Sequence, residues 1–119
     1  MNNKELWVKG EAGAKDLLVK KGYTILATNY KTKVGEIDII AMDGEELVFI
    51  EVKARTSAAF GNPIEAVTPY KVRKIVAVAQ QFILWKKMQD RCVRFDVIEC
   101  LEGVFRHTEN AFSLNDAFR

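Results

Sequence analysis

The sequence predicts an α/β (α+β) domain: a short mixed β-sheet flanked by helices, in the order helix, three strands, helix, strand. Three observations lead there. Residues 34–41 and 47–53 are runs rich in Ile, Val and Phe, and Asp43-Gly44 between them is a hairpin-turn dipeptide. Apolar residues at helical spacing precede this pair and recur after it. Thr68-Pro69 opens the second helical stretch, with Thr as N-cap and Pro at the first helical position.

The first helix is expected over residues 5–21, stopping at Gly22 in the usual C′ place. Leu6, Gly10, Gly13, Ala14, Leu17 and Leu18 form its inner face. Glycines weaken a helix, so two of them on that face predict a close approach to a neighbouring strand. Glu11 lies at the edge of the same face, looking along the sheet. Residues 23–30 alternate enough for a first strand, and the hairpin follows. In the second helix Val72, Ile75, Val76, Ala79, Phe82 and Ile83 make the buried stripe, whereas Lys71, Arg73, Lys74, Lys86 and Lys87 lie off it, as on a solvated face. Residues 93–100 are the last strand. The tail from Leu101 carries no assigned element.

The chain has 119 residues, 49% hydrophobic and 29% charged, which suits one domain over residues 1–119. No apolar run approaches the ~18–20 residues of a membrane span. The first residues show no apolar stretch followed by a cleavage site, so a cytoplasmic location is expected. Cys92 and Cys100 fall in one strand, too far apart for the ~7 Å limit on a disulfide, and with His107 they make no zinc ligand set. The formal net charge of +2 permits a nucleic-acid partner without arguing for one.

Chemistry concentrates in the hairpin. Counting outward from an Asp43-Gly44 turn pairs Met42 with Glu45, Asp38 with Phe49 and Glu36 with Glu51. Alternation then sets Glu36, Asp38, Glu51 and Lys53 on one face, with Ile37, Ile39, Val48, Ile50 and Val52 on the other. Three neighbouring carboxylates repel one another unless a proton or cation relieves them. A divalent ion would do so, and a lysine two residues beyond Glu51 could orient a water or neutralise a phosphate. The same pattern also fits a solvated outer face, with Lys53 and Arg55 as rim charges. The residues alone leave both readings open.

GEIDIIA (residues 35–41) and LVFIEVKAR (residues 47–55) resemble the YraN family of small bacterial proteins. The likeness extends to KGEAGAKDLLVKKGYTILATNY, FGNPIEAVTPYK and RFDVI, in order and at matching spacing. The resemblance implies the restriction-endonuclease-like fold of the PD-(D/E)xK nuclease superfamily, similar to archaeal Holliday junction resolvases. By that resemblance Asp38 matches the first acidic residue, Glu51 and Lys53 match the (D/E)xK pair, and Glu11 matches a resolvase acid beside the metal. Ile37 stands where the superfamily's name has proline, a position many members vary.

The implied protein is a Mg²⁺- or Mn²⁺-dependent endonuclease acting on DNA, branched or otherwise structured DNA included. Asp38, Glu51 and Glu11 would hold the metal, and Lys53 the water or phosphate. The alternative is a non-catalytic nucleic-acid- or partner-binding module on the same fold, and a third reading leaves the acids merely solvated. Lys71, Arg73, Lys74 and Arg55 are candidate phosphate contacts. Either a monomer or a homodimer is expected, with residues 104–105 and 111–112 as the candidate dimer patch. Phe60 and the irregular loop over residues 57–69 are candidate substrate contacts or simply structural. Gln80 and Gln81 read as surface filler, Trp7 and Trp85 as helix anchors, and His107 as a residue without a partner.

Overall fold

A computed structural model describes the backbone of residues 3–55 and 60–118, with side chains other than those of residues 3–9, 63 and 64. Leu6 and Trp7, and residues 57–59 of the loop, therefore lie outside the described side chains. The elements are α1 (Asn3–Lys20), β1 (Thr24–Lys31), β2 (Glu36–Asp43), β3 (Glu46–Ala54), α2 (Pro69–Lys86), β4 (Val93–Leu101) and β5 (Val104–Phe112). Short 3-10 turns cover Pro63–Ala66 and Leu114–Phe118.

Both helices end as their sequences dictate. Beyond α1 the N–H groups of Gly22 and Tyr23 donate to the carbonyls of Val19 and Leu18, with Gly22 at φ +91°. That pair of bonds satisfies carbonyls the helix would leave open. At the start of α2 the Thr68 hydroxyl accepts from the N–H of Lys71, and Pro69 opens the first turn.

The five strands lie in the order β1-β2-β3-β4-β5. Every neighbouring pair is antiparallel except β3 and β4, which are parallel. A parallel pair needs a crossover, and α2 supplies it. The sheet is thus mixed and flanked by helices, as the pattern predicts. One strand beyond the expected set is present: β5 forms from the tail, turning back through Glu102 and Gly103, both at positive φ.

Two apolar layers cover the sheet. Ala14 and Leu18 of α1 pack with Ile39, Ala41, Val48, Ile50, Val52 and Ile98 on one face. On the other, Val72, Ile75, Val78, Ala79 and Phe82 of α2 meet Ile40, Leu47, Phe49 and Val97. Val78 joins the expected stripe, while Gln80 and Gln81 are exposed. The close approach predicted for α1 is present. A Cβ built on Gly13 would stand 2.1 Å from the Phe105 ring of β5.

Three expectations are corrected here. The hairpin turns at Gly44-Glu45, not Asp43-Gly44, because Asp43 pairs with Glu46. Ile37 packs with the α2 layer rather than with Ile39 in the α1 layer, so β2 departs from strict alternation around Asp38. The suggested dimer patch is largely internal. Phe112 is buried and stacked on Phe95, Phe105 packs against α1, and only Val104 stands well exposed. The cysteines are free, Cys100 buried and Cys92 exposed.

Candidate active site

The hairpin ladder places the two central acids. Pairing between β2 and β3 runs from Asp43↔Glu46 outward to Ile39↔Ile50. Asp38 and Glu51 are the next residues beyond that last pair, and Phe49, which a turn at Asp43-Gly44 would have set opposite Asp38, pairs with Ile40. The ladder gives way there, and the Val52 N–H donates instead to Asp38 Oδ2 at 2.7 Å. A side chain thus takes a bond that a backbone carbonyl would ordinarily accept, which fixes one carboxylate oxygen and leaves the other.

Both acids are taken out of water, Asp38 to 6% exposure and Glu51 to 8%. Burial pushes the Asp38 carboxyl up to about 7, helped by the Glu51 charge and opposed by the Val52 N–H and Lys71. Burial likewise raises Glu51, although Lys71 pulls the other way. Carboxylates so placed are unfavourable as a bare anionic pair and gain from a proton or cation.

Of the other expected site residues, Lys53 is exposed and adds favourable charge to Glu51. Glu36 is exposed, 3.8 Å from Lys31, and raises Glu51 from a distance. Glu11 bears on Asp38 through its charge, but its Oε1 accepts from Asn29 Nδ2 at 2.6 Å. Among the described residues no three His, Cys, Asp or Glu side chains form a group able to hold an ion. Asp38 and Glu51 come together, while Glu11 stands near Asp38 with one oxygen bonded to Asn29 of β1.

Lys71 is the unexpected member. Read from sequence as a solvated-face residue or a phosphate contact, it reaches from α2 to place Nζ 3.0 Å from Glu51 Oε1. Burial alone would lower its pKa, but Glu51, Asp38 and Glu36 together raise it. Asn29 is the second residue missed, a non-glycine at φ 50° within β1. The signal for it was an asparagine inside a strand-like run, since Asn tolerates that conformation better than most residues.

The remaining candidate phosphate contacts have internal partners. Arg55 is ion-paired to the fully buried Glu99, which also takes Arg106, so its charge anchors the sheet end. Arg73 donates to the Ala117 carbonyl at 2.8 Å, and with Lys74 it flanks the exposed Tyr70 ring. Arg106 lies over the Phe60 ring and bonds the Gly61 carbonyl, which supports the structural reading of that loop's described part. Trp85 is largely exposed, stacked on Tyr30 and edge-on to Phe82.

The family described as "Uncharacterised protein family UPF0102" matches residues 10–100. The chain belongs to the UPF0102 family. A UPF0102 protein of Clostridioides difficile is 46% identical over 114 residues, 94% of this chain and all of the relative. One from Geotalea daltonii is 47% identical over 118 residues, covering 95% and 93% of the two chains. Another, from Caldicellulosiruptor saccharolyticus, is 42% identical over 118 residues, 99% and 100%. The stretch matched to the UPF0102 family runs from α1 into β4, so Glu11, Asp38, Glu51, Lys53 and Lys71 all lie within it.

Proposed function

We propose that the protein is a metal-dependent endonuclease hydrolysing phosphodiester bonds in DNA, a member of the PD-(D/E)xK superfamily using Mg²⁺ or Mn²⁺. The observation that carries this is the buried Asp38–Glu51 pair, set side by side where the β2–β3 ladder opens. A pair of acids with raised pKa values is a poor surface feature and a suitable donor set for a hard cation, which commonly takes one or two carboxylates plus water and phosphate oxygens. Bound there, such an ion would polarise a phosphoryl oxygen and acidify an attacking water.

The chain's own groups supply the rest. Val52 holds one Asp38 oxygen in place, so the other is presented without rotational freedom. Lys53, two residues beyond Glu51 on the same strand face, is exposed and free to meet a phosphate oxygen as negative charge builds on it. The half-buried Glu11 adds negative charge near Asp38 and, released from Asn29, could support the same ion.

The test is cleavage of labelled single-stranded, duplex, flap and four-way-junction DNA with Mg²⁺ or Mn²⁺, by wild type, Asp38→Ala and Glu51→Ala. Metal-dependent cutting by wild type is expected, falling more than about 100-fold in either variant. An Asp38→Ala protein that cuts as well as wild type would sink the assignment. Binding without cutting under either metal would favour the non-catalytic module.

A further inference from the structure

Lys71 is in an odd place for a lysine. It is the third residue of α2 after the Thr68 cap, where a glutamate or glutamine usually closes the capping box, and the helix dipole there disfavours a cation. The first turn of α2 contains no acidic residue at all. Local helix chemistry therefore does not account for Lys71, but the sheet beneath it does. Its ammonium sits 3.0 Å from Glu51 Oε1, and Asp38 and Glu36 attract it as well. Lys53, the lysine of the sequence motif, stands exposed and forms no ion pair among the described residues.

We propose that Lys71 is a tethered counter-cation that occupies the Asp38–Glu51 pair until a divalent ion replaces it. The inference rests on the metal-dependent reading above and adds a control to it. An ammonium at hydrogen-bond distance from Glu51 Oε1 competes with a metal for that oxygen, since Mg²⁺ approaches its ligands to about 2.0–2.1 Å and repels a neighbouring positive charge. Metal entry thus requires the amine to withdraw. The side chain is about half exposed, 49%, so its flexible stem has room to swing outward. Once outside it is a free cation at the mouth of the site, where a backbone phosphate is its natural partner. A phosphate that draws Lys71 away also raises affinity for the metal, and by linkage the metal raises affinity for the nucleic acid.

The experiment is Mn²⁺ binding, measured as free Mn²⁺ by electron paramagnetic resonance in the absence of DNA. Wild type, Lys71→Met, Lys71→Gln, Lys20→Met and Asp38→Asn are compared, each with its thermal midpoint. The two Lys71 variants are expected to bind Mn²⁺ at least about tenfold tighter than wild type. Lys20→Met, an exposed change at the far end of α1, should alter affinity by less than about threefold, because a distant surface charge is screened. Asp38→Asn should lose binding. Unchanged or weaker affinity in both Lys71 variants, or an equal gain in Lys20→Met, overturns the counter-cation while leaving the metal site standing. Absence of binding in every protein overturns both. The glutamine variant keeps the test usable if the methionine variant is poorly folded.

Discussion

Asp38 has one oxygen bound to the Val52 N–H and a second carboxylate, Glu51, near it. Its pKa, about 7 in the fold, is 3.8 for an unhindered aspartate. Between those values the folded chain binds more protons than the unfolded one, so stability falls as pH rises from about 4 to about 7. In chelator-containing buffer the thermal midpoint should therefore decline across that interval. Asp38→Asn keeps an oxygen for Val52 and removes the charge, so it should flatten the decline and be more stable at pH 8 by roughly 1–3 kcal/mol. Added Mn²⁺ should raise the midpoint of wild type at pH 8 and not that of the variant. A wild-type midpoint flat across the interval would remove Asp38 as the raised acid. At this scale the sequence brought Asp38, Glu51 and Lys53 to one end of the hairpin, because pairing outward from a turn is local, although alternation fails around Asp38. It offered Lys71 only as a candidate phosphate contact and passed over Asn29, because their partners Glu51 and Glu11 come from other elements.

Elements meet through particular residues, and the crossing of α1 over β5 depends on Gly13. A Cβ there would lie 2.1 Å from the Phe105 ring and within 2.9 Å of two more of its atoms. Gly13→Val should displace that ring and cost about 1–3 kcal/mol by urea denaturation. Adding Phe105→Leu should recover part of the loss, and a strictly additive double variant would show that the two do not touch in solution. The glycines on the inner face of α1 announced this contact from sequence, although its partner strand was not foreseen. Residues 104–112 lack a strong apolar alternation, with Arg106, His107, Glu109 and Asn110 breaking it, so β5 was read as tail. Glu102-Gly103 was the available turn signal. The hairpin shows the opposite kind of miss. Its strands were legible, but Asp43 joins β2 through pairing with Glu46, and turn chemistry alone cannot distinguish Asp43-Gly44 from Gly44-Glu45.

At the scale of the whole molecule, one buried polar network ties the ends of the sheet to its centre, and it explains a histidine that sequence left without a partner. Asp96 of β4 is fully buried and accepts from Arg94 Nε and Nη2, the Asn110 N–H and His107. Lys21, beyond α1, approaches His107 Nδ1 at 2.8 Å. An ammonium can only donate, so Nδ1 accepts and the Nε2 proton goes to Asp96. Arg94 also reaches Tyr23 before β1 and both Asp43 and Glu46 at the hairpin turn. Burial would raise the Asp96 pKa, but His107, Arg94 and the Asn110 N–H together hold it below the usual range. A depressed acid contributes stability above its unfolded pKa and loses it as pH falls through the folded value, so this contribution is complete at neutral pH and begins to be lost below about pH 4. Asp96→Asn takes from Arg94 its fully buried counter-charge, leaving Asp43, Glu46 and Glu109, and should cost about 2–3 kcal/mol at pH 7. Asp90→Asn, an exposed change of the same kind, should stay within about 0.5 kcal/mol of wild type. Urea midpoints at pH 7 and pH 3 separate the terms, because the gap between wild type and Asp96→Asn should narrow in acid. A gap that persists unchanged at pH 3 would mean that the carboxylate's shape, not its charge, joins β5 to the rest of the sheet.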